Sequence, residues 1–169
     1  QAQKLKKKYS HLRLERGFAE RLLLKNRSVD VLLFIRTLHH LEDPKPVFKE
    51  FRRVLKPDGF LIIEFANKMH FKSIVKALFQ LNFNYLFSSQ SVNVSHRKNE
   101  EIPFLNYHPK QIKKLLRQGG FKIVKVLSVS NFRNSFLKKL LPFKSLLALE
   151  NLVQEINSSF YSGPSIFIL

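Results

Sequence analysis

Two adjacent histidines, His39 and His40, are the side chains in this sequence that are best placed to do chemistry. They follow a short apolar run and precede a predicted helix. Imidazole titrates near neutral pH, so a histidine beside a bound acceptor can remove a proton from it. The alternative is a structural histidine that is hydrogen-bonded at the entrance of the helix. We treat His39 as the candidate catalytic residue and leave both interpretations open.

The other histidines that we considered do not suggest a metal site. They are His70, His96 and His108, and their spacing matches no common metal-ligand pattern. The chain has no cysteine, no Ser-His-Asp order and no obvious pair of carboxylates. We therefore expect no metal, and nothing in the sequence requires an oxidising compartment.

The two histidines lie inside a predicted βαβ unit that spans residues 28–65. Val29–Ile35 is apolar on both alternating faces, which is typical of a strand buried in a parallel sheet. Asp43 and Pro44 then provide a helix start. The second strand is predicted at Phe60–Phe65. Apolar residues at helical spacing predict the face of the intervening helix that packs on the sheet: Val47, Phe48, Phe51, Val54 and Leu55.

The wording of this unit, SVDVLLFIRTLHHLEDPKPVFKEFRRVLKPDGFLIIEF, closely resembles the middle of class I S-adenosylmethionine-dependent methyltransferases, in particular the group called methyltransferase type 11. Upstream, LRLERGFAERLLL resembles the third strand of that family and the loop that receives adenine. Downstream, YHPKQIKKLLRQGGFKIVKV resembles its late helix and sixth strand, and GPSIFIL resembles its seventh strand. The resemblance implies an α/β, Rossmann-like methyltransferase sheet in which the final strand is antiparallel.

The resemblance does not include the first two strands of the family. The Gly-rich turn after the first strand and the ribose-binding acid after the second have no counterpart, because Gly119 and Gly120 precede a strand and mark a helix end. We therefore expect residues 1–169 to be a single partial methyltransferase domain, an N-terminally truncated fragment that is inactive by itself. The predicted third strand, Leu12–Arg16, would then have no native neighbour.

The resemblance also implies S-adenosylmethionine as cofactor, bound at the carboxyl ends of the parallel strands. Where the family has Gly-Asp-Ala beside adenine, this chain has Gly17, Phe18 and Ala19. The lost carboxylate would weaken binding by about 1–3 kcal/mol unless a neighbour such as Glu20 replaces it. After the fourth strand, the positions that line the methionine and sugar side are Ile35, Arg36 and Leu38. The predicted cofactor-binding residues are thus Gly17, Phe18, Ala19, Glu20, Ile35, Arg36 and Leu38.

Two further regions are predicted to select the substrate. Lys68–Leu81 is a predicted helix, and residues 82–104 form a polar segment that we interpret as a loop or lid. Residues 134–157 form a helical insertion before the last strand, divided at Pro142. We expect both regions to flank the carboxyl ends of the strands, and the alternative is that their helices only cover the edge of the sheet.

The net charge of +18 is spread over the predicted helices and lacks a recognisable nucleic-acid-binding motif. A biased base composition would produce the same excess of lysine, so we do not expect a nucleic-acid partner. The longest apolar runs are far shorter than the ~20 residues that cross a bilayer. We predict methyl transfer to a small-molecule or lipid-like acceptor in the cytoplasm. A non-catalytic methyltransferase-like binding module and a basic peripheral membrane-associated protein remain alternatives.

Overall fold

A computed structural model describes residues 7–95, 102–132 and 139–169. Its strands are β1 (Val29–Phe34), β2 (Leu55–Ala66), β3 (Val92–Asn93), β4 (Leu105–Asn106), β5 (Val126–Val129) and β6 (Ser165–Ile168). Its longer helices are α1 (Lys45–Val54), α2 (Phe71–Phe79), α3 (Phe83–Phe87), α4 (Pro109–Gln118) and α5 (Phe143–Phe160), and a single 3₁₀ turn spans Leu38–His40.

The main sheet of the described residues has four strands in the order β1-β2-β6-β5. β1 runs parallel to β2, whereas β6 is inserted antiparallel between β2 and β5. β3 and β4 form a separate antiparallel pair. The α/β fold class, with its antiparallel final strand, is therefore confirmed.

Helix α1 connects β1 to β2 and packs on the sheet, as the periodicity of its apolar residues predicts. Phe48, Phe51 and Leu55 are almost completely buried in one hydrophobic core. The ring of Phe51 meets that of Phe34 from β1 edge to face, with 5.0 Å between the ring centroids. The predicted parallel βαβ unit is confirmed by these contacts.

Strand β2 begins at Leu55, five residues before the predicted start at Phe60. Leu55 pairs with Val29, and the register then shifts between Val29 and Val31. A bulge of this kind accommodates an unpaired residue and a proline within a strand. Gly59 is required nearby, because a Cβ there would lie 3.0 Å from the backbone oxygen of Asp30.

The sixth-strand segment also differs from its predicted bounds, Phe121–Leu127. The antiparallel pairing with β6 is present, but β5 begins only at Val126. Phe121 instead donates its backbone N–H to the carbonyl of Leu116, which extends the end of α4. The Gly119-Gly120 pair therefore ends a helix, as its place in the sequence indicates.

The predicted third strand at Leu12–Arg16 is wrong, because these residues form no strand. Among the described residues β1 is the edge of the main sheet, and no strand lies beside its outer side. A single extended segment without a partner has no ladder to satisfy its backbone groups, so it gains little by adopting strand geometry.

The first of the two predicted substrate regions contains more regular structure than expected, whereas the second is helical after Pro142, as predicted. The helix predicted at Lys68–Leu81 is observed as α2, and α3 and β3 lie within the described part of residues 82–104. Helix α5 begins directly after Pro142. Residues 96–101 and 134–138 of the two predicted regions lie outside the described residues. Within the described ranges, no helix has both the length and the apolar character needed to cross a bilayer.

Candidate functional site

A cavity of about 900 Å³ lies beyond the carboxyl ends of β1 and β2. Ile35 and Arg36 enter its wall directly after β1, and Ala66 and Asn67 enter it at the end of β2. The opposite wall is mostly apolar, with Ser130 and Glu150 as polar members, and it comes from the end of β5, the segment after it, α5 and β6. Its residues include Val129, Phe132, Phe143, Leu146, Leu147 and Phe167.

The carboxylate of Glu64 forms the polar floor of this cavity. It is only 7% exposed, and its Oε2 accepts a hydrogen bond from the backbone N–H of Arg36 at 2.8 Å. Its Oε1 accepts a hydrogen bond from the hydroxyl of Ser165 at 2.8 Å. The hydrogen bonds to Arg36 and Ser165 thus join β2 to the end of β1 and the start of β6. They also satisfy the carboxylate, since a buried charge is costly without hydrogen-bond donors. Each oxygen still has a second lone pair for another donor.

Arg36 has a left-handed backbone, with φ of 57°. A residue with a Cβ pays for this conformation, and such residues cluster at functional sites. The hydrogen bond from its N–H to Glu64 helps to hold the turn in place. This turn directs the chain from β1 into the 3₁₀ turn Leu38–His40, which carries His39 to the cavity wall.

His39 is buried at 7% exposure and stacks on Phe104, with 4.2 Å between the ring centroids. Burial and the neighbouring His40 lower the pKa of the His39 imidazole, although the nearby Glu64 opposes this shift. The ring is therefore neutral near pH 7 and able to accept a proton. Nδ1 of His40 lies 3.0 Å from the carbonyl oxygen of Pro103. His40 is therefore the structural, hydrogen-bonded histidine of the pair.

A buried lysine holds the segment that follows α3. The ammonium group of Lys68 donates to the carbonyl oxygens of Ser88 and Gln90, at 2.7 Å and 3.0 Å. It lies 4.9 Å from the ring centroid of Tyr85, whose hydroxyl donates to the carbonyl of Lys68. Burial lowers the pKa of this lysine. The segment leads to Val94, which lines the cavity, so Lys68 helps to position one side of the site.

Two other histidines have structural roles at helix starts. His70 precedes α2, and its Nε2 lies 2.6 Å from the hydroxyl of Ser73. Nδ1 of His108 accepts the backbone N–H of Lys110 at the start of α4, which confirms His108 as a helix-entry residue. In the part of the chain that is described, no three His, Asp or Glu side chains are grouped so as to bind a metal.

The structure brings together Ile35, Arg36 and His39 from the predicted site residues, all on the cavity wall. Leu38 does not join them through its side chain, which is completely buried in the hydrophobic core. Leu38 is thus absent from the cavity lining.

The second group of predicted cofactor residues, Gly17, Phe18, Ala19 and Glu20, is absent from the cavity wall. Phe18 is 78% exposed and forms an isolated antiparallel bridge with Arg21. Ala19 packs in part against the core. For S-adenosylmethionine the fit is therefore partial: the wall after β1 is present, but no described carboxylate from this group faces the cavity.

Sequence reasoning missed most polar residues of the cavity, among them Glu64, Asn67 and Ser165. Asn67 is 1% exposed, and its Nδ2 donates to the carbonyl oxygens of Tyr161 and Gly163 before β6. The available signal was Glu64 itself, a carboxylate inside the apolar run Phe60–Phe65. The approach of Ser165 to it could not be read from sequence, because the two residues are 101 positions apart.

The comparisons with known proteins agree with this geometry. Residues 1–63 match the family profile described as a methyltransferase domain. An uncharacterized protein of Methanocaldococcus jannaschii is 30% identical over 136 residues, which are 76% of this chain and 53% of that protein. The chain thus spans about half the length of this curated relative.

Two solved structures share the fold. A provisionally assigned S-adenosylmethionine-dependent methyltransferase of Listeria monocytogenes has a TM-score of 0.58 at 15% identity, covering 91% of this chain and 66% of that one. A methyltransferase of Archaeoglobus fulgidus that depends on the same cofactor has a TM-score of 0.51 at 15% identity, covering 94% and 67%. The resemblance inferred from the sequence is thereby confirmed: this chain has the fold of the class I S-adenosylmethionine-dependent methyltransferases.

Proposed function

We propose that this chain serves methyl transfer from S-adenosylmethionine to a small-molecule or lipid-like acceptor. The observation that carries the proposal is the cavity at the carboxyl ends of β1 and β2, where open α/β sheets bind ligands. On one side it has the turn Ile35–Arg36 and on the other an apolar wall. This arrangement accommodates a cofactor and an acceptor side by side.

The reaction that the family performs demands alignment above all. When bound, the cofactor supplies an electrophilic methyl group on sulfur. The residues of this chain contribute orientation and, for an acceptor that carries a proton, a base. His39 fits that role because its ring borders the cavity and burial, which lowers its pKa, favours the neutral form that can accept a proton. Within the described residues, its ring nitrogens have no hydrogen-bond partner that would compete with an acceptor.

The lining of the cavity favours an acceptor with an apolar body and a small polar end. Leu146 and Leu147 of α5 and Phe167 of β6 provide apolar surface, whereas Glu64 and Asn67 on one side and Glu150 on α5 provide polar groups. Ligand sites commonly combine a largely apolar wall with a few polar groups that fix orientation. We assign cofactor contacts within the cavity to Ile35 and Arg36, whereas the predicted adenine contacts at Gly17–Glu20 have no support from the cavity lining.

The test uses the gene product at its natural length, incubated with S-adenosylmethionine labelled in the methyl group and with separate lipid and metabolite extracts. We expect label in one product class, reduced about a hundredfold by His39→Asn if the acceptor carries a proton. Leu146→Trp should block acceptor entry. Leu152→Trp is its control, because Leu152 lies on the same helix, is exposed and does not line the cavity.

A non-catalytic binding module is the second candidate, and one observation favours it. The segment Gly17–Glu20 lies outside the cavity and has Phe18 in place of the family's carboxylate. Titration calorimetry with S-adenosylmethionine on the natural-length protein separates the candidates. Binding supports the enzyme, whereas absence of binding, with a folded protein by circular dichroism, supports the module.

A further inference from the structure

The hairpin formed by α2 and α3 exposes an unusual amount of apolar surface. Phe79 and Phe87 are 87% and 82% exposed, although phenylalanine is normally among the buried residue types. Six large apolar side chains within seventeen consecutive residues are exposed: Phe71, Leu78, Phe79, Leu81, Phe83 and Phe87. Exposed apolar residues that are grouped within one hairpin mark an interaction surface more often than scattered single residues do.

Helix α2 presents this surface with a defined orientation. Ala77 is buried and faces the protein, whereas Phe71, Leu78 and Phe79 lie on the exposed side. Lys72 and Lys76 are four residues apart, so they form one exposed row along the flank of that side. An apolar stripe bordered by lysines is the pattern of helices that lie in a membrane interface.

The turn between the two helices adds one more exposed apolar side chain. Leu81 has a left-handed backbone, with φ of 51°, and its side chain is 73% exposed. A leucine is disfavoured in this conformation relative to glycine or asparagine. The N–H of Leu81 donates to the carbonyl of Leu78 and the N–H of Asn82 donates to that of Ala77, so hydrogen bonds at the end of α2 hold this backbone. The exposed leucine side chain, not the backbone, is therefore what a partner would cover.

The charge around the hairpin restricts the choice of partner. The chain has a net charge of +18, and no aspartate or glutamate occurs between Glu64 and Glu100. A second copy of the chain would therefore place the lysines of two hairpins against each other in a symmetric contact. Nucleic-acid surfaces need basic residues that follow the phosphates, but the described hairpin has six exposed apolar side chains and only two exposed lysines.

We propose that the α2–α3 hairpin docks on the surface of an anionic lipid bilayer. The phenylalanines and leucines enter the boundary between headgroups and acyl chains, and Lys72 and Lys76 contact the anionic headgroups. The inference goes beyond the proposed function and does not depend on it, because docking requires neither cofactor nor acceptor. His70 lines the cavity and directly precedes α2, so the docked surface lies next to the site.

Vesicle co-sedimentation of the 169-residue chain tests the proposal. The probes are vesicles of phosphatidylcholine alone and of an equal mixture of phosphatidylcholine and phosphatidylglycerol. We expect the unchanged chain to bind to the mixed vesicles only. The double variant Phe79→Ser/Phe87→Ser should lose affinity for them at least ~tenfold, because two phenylalanine rings no longer enter the lipid. Lys72→Gln/Lys76→Gln should lose about tenfold and shift the salt dependence.

Two leucines that are equally exposed, one on the hairpin and one outside it, control for a general effect of replacing leucine by serine. Leu81→Ser on the hairpin should weaken binding, whereas Leu23→Ser, at a site that is 74% exposed and outside the hairpin, should not. Equal binding by all hairpin variants would overturn the proposal. The same is true of equal affinity for both vesicle types. Hairpin-dependent binding to single-stranded DNA, or hairpin-dependent dimers by analytical ultracentrifugation, in the absence of vesicle binding, would also overturn it.

Discussion

The carboxylate of Glu64 on β2 holds the backbone N–H of Arg36, the left-handed residue that follows β1, at 2.8 Å. This contact joins the ends of two neighbouring parallel strands at the floor of the cavity. Because Ser165 donates to the other carboxylate oxygen, the same side chain also fixes the start of β6. The shape of the site therefore depends on one buried acid in an otherwise apolar strand.

Replacement of Glu64 by alanine should lower the free energy of unfolding by about 1–3 kcal/mol, because two buried donors lose their acceptor. Glu64→Gln should recover much of this loss, since an amide can accept from Arg36 and donate to Ser165. Urea unfolding of each variant measures the effect. Glu155→Ala is the control, and breaking its exposed ion pair with Lys125 should cost less than about 1 kcal/mol. Equal losses at the two sites would contradict this account of Glu64.

Lys68→Met should loosen the segment that follows α3 while preserving most of the side-chain volume. The carbonyl oxygens of Ser88 and Gln90 lose a charged donor. Amide hydrogen exchange in residues 88–95, followed by mass spectrometry, should accelerate about fivefold or more. The matched change Lys72→Met removes an exposed lysine and should leave these rates unchanged. Identical exchange in both variants would show that Lys68 does not hold the segment.

Acidification should destabilise the fold below pH 6.5. Burial is the main cause that lowers the pKa values of His39, His70 and His108, with His40 adding to the shift at His39 and neighbouring lysines at the other two. Between each lowered pKa and the ordinary value of 6.5, the unfolded chain binds more protons than the folded one. Stability is therefore full above 6.5 and is lost as pH falls through the folded pKa values.

The histidine contribution can be isolated at His108, where asparagine retains a good helix-capping oxygen but does not titrate. The melting temperature of His108→Asn should fall less between pH 7 and pH 5 than that of the unchanged chain. The same substitution at the exposed His11 serves as the control. A steeper fall in His108→Asn would contradict the assigned direction.

Replacement by alanine should lower the free energy of unfolding at Gly163 but not at Gly17. A Cβ on Gly163 would lie 2.5 Å from Oγ of Ser128 and 2.7 Å from the carbonyl oxygen of Val129, so Gly163→Ala should cost about 1–3 kcal/mol. A Cβ on Gly17 meets no atom within 4 Å, and Gly17→Ala should be neutral or slightly stabilising. Thermal unfolding of both variants measures the difference, and a stable Gly163→Ala variant would show that the β5–β6 junction can relax.

The 169-residue chain should bind S-adenosylmethionine weakly. Ile35 and Arg36 provide part of a wall, but Gly17–Glu20 does not reach the cavity, and Phe18 cannot accept the hydrogen bond that the family's carboxylate accepts. Titration calorimetry on the chain provides the measurement. Micromolar binding would show that the described residues hold the ligand by themselves and that our assignment of a partial site is wrong.

The βαβ unit could be predicted because its signals are local. The apolar run of β1, the helical spacing of Phe48 and Phe51, and the return to a strand all lie within residues 28–65. Strand pairing is not local, so the failure at Leu12–Arg16 has a simple cause: its sequence permits a strand, but a strand also needs a neighbour.

The site was only partly predictable for the same reason. Residues that follow β1, such as Arg36 and His39, could be placed from the position of the strand alone. Glu64 became a candidate only when the structure showed which face of β2 it occupies and that Ser165 approaches it. The exposure of the α2–α3 hairpin could not be predicted from the sequence either. The spacing of apolar residues in α2 is the same whether its apolar face is buried or exposed.

The insertion of β6 between β2 and β5 has a consequence for the order of events during synthesis on the ribosome. The unit β1-α1-β2 can form as soon as residues 28–66 emerge, because its contacts are close in sequence. The inner edge of β2 then waits for Ser165–Ile168, which is made about a hundred residues later. Throughout that interval a hydrophobic strand edge is open to other nascent chains, so a chaperone that shields it should raise the yield of native protein.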